Sequence, residues 1–270
     1  MGRFFGGNMR FGALLFGVAI SILGPVATAF AQTEQIKVRP RAWYAEFSGK
    51  TQGDSPTVEG TDIDLQDDLG IEKERANWVE VMMSQGGGRT WISLWEANPE
   101  EGLTLASAET IDGTVIPAGP ATGEIEIQYT RMLHERFILG QQILGFAVVV
   151  SFLSGFEYMD IKWSLSGGGA AGDKGMTYYR PLLGFRAEAW ISRWLTLEAH
   201  VVSFFKTNLQ DIRARTLEWQ LGFAVRLERW SIEGGWRFSN FFAQEDKGGT
   251  EDIEMDIDVQ GFYVGVGVSF

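Results

Sequence analysis

The stretch that decides the fold is IEMDIDVQGFYVGVGVSF, residues 253–270. From Phe262 onward, Phe262, Val264, Val266, Val268 and Phe270 fall on one parity, and Tyr263, Gly265, Gly267 and Ser269 on the other. Side chains of a β-strand alternate faces with period two, so this is a strand with one apolar face and one small or polar face. Residues 262–270 would span about 25–30 Å at a rise of roughly 3.3 Å per residue, close to one tilted crossing of a bilayer. Upstream, Glu254, Asp256 and Asp258 share the parity of Phe262. Either the strand rises beyond the bilayer there, or a bulge near Gly261 exchanges its faces.

The same alternation recurs along the chain. Residues 35–47 place Lys37, Arg39 and Arg41 opposite Ile36, Val38 and Ala42, with Pro40 suited to an edge or bulge because it has no donor for the ladder. Residues 77–85 and 90–96 form two strands about the turn Gly86-Gly87-Gly88, and residues 124–132 set Ile125, Ile127 and Tyr129 against Glu124, Glu126, Gln128 and Thr130. Residues 178–190, 194–205, 216–226 and 230–240 each keep a single apolar parity. The polar stretches 48–75 and 98–122 are expected to be long outer loops. Further connections are short at 191–193 and 227–229, and long or charged at 206–213 and 244–252. Residues 136–157 are nearly continuous apolar sequence without clean alternation; a periplasmic-side extension, a helix and one over-long strand all fit. The pattern resumes at Tyr158 and ends near Ser166. Ten strands follow, with both barrel ends on one side, and eight or twelve stay open because of residues 136–157.

Arg3 and Arg10 precede an apolar run, residues 11–23, and Ala29-Phe30-Ala31 supplies small residues at a cleavage spacing. Residues 1–31 are therefore expected to be an export signal, and residues 32–270 the barrel. No stretch reaches the roughly 18–20 uninterrupted apolar residues that a membrane helix needs. Taking the signal and its two arginines away moves the formal charge from −12 to −14, the opposite of a nucleic-acid footprint. The absence of cysteine excludes disulfides and thiolate metal sites. The hydrophobic content of 45% is ordinary, as it is in barrels where only alternate residues meet lipid. Trp190, Trp194 and Trp230 flank the short turns, where an aromatic girdle is expected.

The run Phe262, Val264, Val266, Val268, Phe270 resembles the C-terminal signature of Gram-negative outer-membrane proteins, in which a terminal Phe after alternating apolar residues is read by the barrel-assembly machinery. The segment Asp62-Ile63-Asp64-Leu65-Gln66-Asp67-Asp68-Leu69-Gly70 resembles one that recurs after the first strand in small proteobacterial outer-membrane barrels, broadly of the OmpA/OmpW-like class. That resemblance implies family membership and no activity. A soluble barrel shows the same alternation with its faces exchanged; the girdle, the export signal, the final Phe and the short–long rhythm of connections together favour the membrane. The expected fold is all-β: a closed antiparallel transmembrane β-barrel of the Gram-negative outer membrane, in contact with outer-membrane lipid and lipopolysaccharide.

If the apolar parity meets lipid throughout, the lumen receives Glu124, Glu126, Arg180, Arg186, Glu188, Glu198, His200, Glu218, Arg226, Glu233 and Arg237. Opposite charges so placed form either a cross-strand ion-pair ladder that fills the barrel or a narrow polar pore. Asp62, Asp64, Asp67 and Asp68 concentrate oxygen donors that could hold Ca²⁺ or Mg²⁺, although their spacing does not match the helix-loop-helix calcium loop; a solvated acidic loop fits equally. No other cofactor is implied. His200 shares a face with Glu198 while Ser203 lies on the other, so a hydrolase built on His200 is the weakest of the functional expectations, and His134 is expected in a periplasmic turn. The expectation is a structural or narrow pore-forming barrel without catalysis, or a surface-binding barrel acting through its acidic outer loops.

Overall fold

Among the described residues fourteen strands follow one another in chain order: β1 (Gln35–Gly53), β2 (Ile63–Asp64), β3 (Lys73–Gln85), β4 (Gly88–Ala97), β5 (Glu100–Leu105), β6 (Glu109–Ile111), β7 (Thr114–Ile116), β8 (Gly119–Ile143), β9 (Phe146–Gly167), β10 (Ala170–Trp190), β11 (Leu195–Leu209), β12 (Ile212–Leu227), β13 (Trp230–Asp246) and β14 (Asp252–Ser269). The computed structural model describes residues 35–54, 60–85, 87–143, 146–209, 212–246 and 252–270. The expected export signal, residues 1–31, lies outside the described residues.

Ten of these strands close a ring in the order β1-β3-β4-β8-β9-β10-β11-β12-β13-β14, every neighbour antiparallel, with β14 pairing back to β1 from Lys37↔Ser269 to Gly53↔Ile253. Closure leaves the wall without the open edge on which flat sheets aggregate. The turn between β9 and β10 is Gly168-Gly169, both at positive φ (59° and 86°), the backbone that a two-residue hairpin of right-handed twist requires. At the end holding Gln35 and Phe270, here the near end, connections between strands are short. At the far end β5 pairs with the start of β8, β2 lies on β1, and the β6–β7 hairpin packs against β10.

The strands overrun several sequence-based limits. β1 continues to Gly53 and β3 starts at Lys73, so the expected loop 48–75 is shorter than its polarity suggests; the expected loop 98–122 contains β5, β6, β7 and the start of β8. Residues 136–143 and 146–157 are strand: β8 and β9 form one long hairpin, paired out to Ile143↔Phe146, with an irregularity between Phe137 and Leu139. The pairing of β8 with β4 stops at Gly88↔Arg136, so this hairpin extends past its neighbour at the near end. His134 accordingly sits inside β8, with Nδ1 3.4 Å from Thr90 Oγ1, rather than in a turn.

The wall has two polarities. Toward the near end Phe185, Leu221, Ile232, Phe262 and Val264 are exposed outside, while Arg39, Glu80, Arg131, Glu157, Glu218 and Arg237 are buried inside. Toward the far end the faces exchange: Ile125, Ile127, Met159, Ile161, Trp163, Leu165, Met255 and Ile257 are buried inside, while Glu124, Glu126, Lys162, Glu254, Asp256 and Asp258 lie on the outside. Parity is unbroken along β14, so the face exchange entertained at Gly261 does not occur, and the acids of its first half stand on the wall beyond the apolar belt. Ile63, Leu65, Leu69 and Ile71, all fully buried, fold over the far mouth and complete this second core.

Candidate functional site

The interior of the near half is one charge network, placed there by strands whose inward parity is polar. On β1, Lys37 Nζ donates to Glu233 Oε1 at 2.6 Å and Arg41 Nη2 to Glu233 Oε2 at 2.8 Å. Arg39 Nη1 reaches Glu80 Oε1 at 3.3 Å. Across the lumen Glu218 takes Arg131 Nη1 at 2.5 Å, Arg237 Nη2 at 2.6 Å and His200 Nε2 at 3.0 Å. Arg186 pairs with Glu198 and, at 2.9 Å, with Glu188, which also receives both terminal nitrogens of Arg89 at 2.7 and 2.8 Å. Glu157 accepts from Arg180, from Tyr129 Oη at 2.7 Å and from Thr216 Oγ1 at 2.8 Å. Each carboxylate holds two or more donors, which is what makes buried charge tolerable.

Above this network lies an aromatic layer. The Arg237 guanidinium sits 4.6 Å from the Trp43 ring centroid and 4.5 Å from that of Trp78, with Trp95 and Tyr129 within 6 Å. Arg41 lies 4.3 Å over Trp78 and 5.1 Å from Tyr263. Cation–π attraction is strongest where the cation is desolvated, so these rings join the charged layer to the apolar core above it. Gly222 and Gly235 make the fit possible: a Cβ on either would come within 2.0 or 2.7 Å of Tyr263 Oη, which receives Gln220 Nε2 at 2.8 Å.

Of the residues expected in the lumen, Arg180, Arg186, Glu188, Glu198, His200, Glu218, Glu233 and Arg237 face inward into this network, and Arg226 stands at the near mouth. Glu124 and Glu126 are corrected: Ile125, Ile127 and Tyr129 turn inward and are buried, which leaves both acids on the outer face, because β8 is there in the far half where polarity is exchanged. Trp190 is corrected too. It shares the inward parity of Arg186 and Glu188 and lies under the Arg226 guanidinium at 4.0 Å, whereas Trp194 and Trp230 are exposed outside. Lys37, Arg39, Arg41, Glu80, Arg89, Arg131, Glu135 and Glu157 were not among the expected lumen residues. For the first three, shared parity on β1 was the available signal; Glu135 and Glu157 were hidden by the apolar run around them.

The acidic segment serves its own turn. Asp64 Oδ1 accepts from the backbone N–H of Gln66 (2.9 Å) and Asp67 (3.1 Å), and Asp68 Oδ2 from that of Asp64 (2.8 Å), the local bonding by which short acids organise turns. Among the described residues no group of three or more His, Cys, Asp or Glu is disposed to hold a metal ion. His200 is enclosed by Glu218 and the surrounding guanidinium groups, and Ser203 Oγ instead donates to the Thr216 carbonyl at 3.0 Å. Phe262, Val264, Val266 and Phe270 lie exposed along the outside of β14 and its end, and Val268 shares their parity.

No family model and no curated protein matches the chain. Solved structures similar to it include Neisserial surface protein A (10% identity over 87% of this chain and 97% of that one, TM-score 0.33). Others are the translocator domain of the autotransporter NalP from Neisseria meningitidis (13%, 97% and 98%, TM-score 0.45) and the attachment invasion locus protein Ail of Yersinia pestis (9%, 87% and 98%, TM-score 0.31). The closed hydrogen-bonded ring and the greasy belt around a charged interior, rather than these distant likenesses, make the chain a ten-stranded transmembrane β-barrel.

Proposed function

We propose that the chain is a non-conducting barrel of the Gram-negative outer membrane, a structural element without catalysis that carries a packed collar beyond the bilayer. The observation behind this is the filled lumen: Trp43, Trp78, Trp95, Tyr129, Arg131 and Arg237 are each less than 2% exposed. Ions cross a barrel through water, and a water path needs accessible lining. Short turns at the near end fit the periplasmic side and the collar the outer side. Enclosed by its ion partners, with Nε2 3.0 Å from Glu218 Oε1, His200 serves packing. Purified barrel in planar bilayers is expected to give no conductance steps above the lipid baseline; discrete steps that grow in Arg237→Ala would overturn the proposal.

A second role, surface binding, is favoured by the collar's outer wall. There a groove of about 360 Å³ is lined by Lys50, Asp62, Asn240, Glu254, Asp256 and Asp258. Asn240 Nδ2 donates to both Asp256 (2.9 Å) and Asp258 (2.8 Å). Unchanged adhesion of cells carrying Asp256→Asn with Asp258→Asn would remove that role.

A further inference from the structure

The near mouth holds a cavity of about 220 Å³ that has more cation than anion. Lys37, Arg39, Arg89 and Arg226 all line it, and the one acid among the lining residues is Glu228. Three of the cations are matched: Lys37 and Arg39 share Glu233 at 2.6 and 3.4 Å, and Arg89 forms its fork with Glu188. Arg226 is different. Among the described residues no carboxylate lies within 4.0 Å of it, and its buried Nε has no hydrogen-bond partner. Its guanidinium is stacked on Trp190, with the carbon 4.0 Å from the ring centroid. Stacking occupies the faces of the guanidinium and leaves its in-plane N–H edge for another group. A partly buried, unpaired charge is costly unless something of opposite sign meets it.

We propose that this mouth cavity binds a phosphate-bearing anion, held by the free edge of Arg226 and by the surrounding field of Lys37, Arg39 and Arg89. The planar fork of a guanidinium matches two phosphate oxygens, and the volume exceeds that of one phosphate group, leaving space for the first atoms of an ester. The cavity opens at the near end, so the phosphate belongs either to a soluble ester or to the headgroup of a phospholipid in the adjoining leaflet.

The test uses the full chain, folded in maltoside micelles that contain no phosphate, titrated calorimetrically with inorganic phosphate. A parallel arm follows spin-labelled phosphatidylglycerol in phosphatidylcholine vesicles that hold the barrel. Saturable phosphate binding weakened about tenfold by Arg226→Gln, the loss expected of one charge-assisted pair, supports the proposal with a soluble source. Arg75→Gln, on the outer wall, is the control and should leave binding unchanged. Immobilisation of the labelled lipid that disappears only in Arg226→Gln supports it with a headgroup source. Heat-modifiable gel migration confirms that each variant is folded. Absence of both signals, or binding that Arg226→Gln leaves intact, overturns the proposal.

Discussion

Glu157 and Trp163 lie on one strand, point the same way and are both essentially inaccessible to solvent, yet they belong to opposite environments. At Glu157 the wall is charged within and apolar without, with Phe156 half exposed beside it; at Trp163 it is apolar within and polar without, with Lys162 exposed. The near half therefore depends on a bilayer to cover its outside, and the far half carries its own hydrophobic core, as a water-soluble barrel does. Fully burying one large aliphatic or aromatic side chain stabilises by roughly 1.5–3 kcal/mol, so the far core, with Trp163, Ile127 and Met159 among its members, contributes stability that needs no bilayer around it. In the near half the ion pairs contribute little net energy relative to apolar replacements, but cutting one partner is severe because it leaves the other charge buried and uncompensated.

That asymmetry gives the largest expected effect. Glu218→Ala removes the shared acceptor of Arg131, Arg237 and His200 and should destabilise the barrel by about 3–5 kcal/mol, the cost of leaving buried charge uncompensated. Urea unfolding from phospholipid vesicles measures it. A loss below about 1 kcal/mol, the range of exposed pairs, would mean that water reaches Glu218 and that the near lumen is wet.

The next experiment exchanges polarity on the outer wall. Leu221→Arg, placed on the exposed face of β12 in the apolar belt, should cost about 2–4 kcal/mol in a bilayer. Lys162→Leu, on the collar, should stay within roughly 0.5 kcal/mol of the parent, as surface changes usually do. Equal costs at the two positions would erase the distinction between belt and collar.

Much of this was legible from the chain itself, and the part that was not has a single physical cause. Period two is a property of the strand alone, so the alternation in residues 216–226 and 230–240 marked β12 and β13, and ten strands emerged with the connections between them. The assignment of inside and outside is a property of what the strand packs against. Ile125, Ile127 and Tyr129 alternate with glutamates in the same way that Leu217, Trp219 and Leu221 alternate with polar residues, yet the first set points into the barrel and the second outward. Extending one phase over both halves misplaced Glu124 and Glu126. Acids on the lipid parity of β14 were the clue that strands outrun the membrane, and Lys162 and Asp160 carried the same message on β9. The three-fold bonding of Glu218 joins β8, β11 and β13 to β12, and no spacing along one strand could reveal it.

The smallest effect locates the boundary between the halves. Glu96 is on the outer wall near the end of β4, and burial, with Glu126 nearby, raises its pKa above the usual carboxylate value. A carboxyl whose folded pKa exceeds its unfolded value, about 4.3 for Glu, favours the folded state fully below that value, and the contribution is lost as pH rises through the folded pKa. At neutral pH the folded protein therefore carries a charge it would rather protonate, and Glu96→Gln should stabilise. Because the group is only half buried and solvent screens it, the gain should be only about 0.2–0.5 kcal/mol, and it should vanish below about pH 4, where parent and variant are both neutral. Paired unfolding titrations at pH 4 and pH 7 measure the difference. A pH-dependent gain above about 1 kcal/mol would mean that Glu96 is immersed in hydrocarbon; the apolar belt would then reach one turn of side chains higher on β4, and the collar would begin above Gln128 and Glu126 rather than beside them.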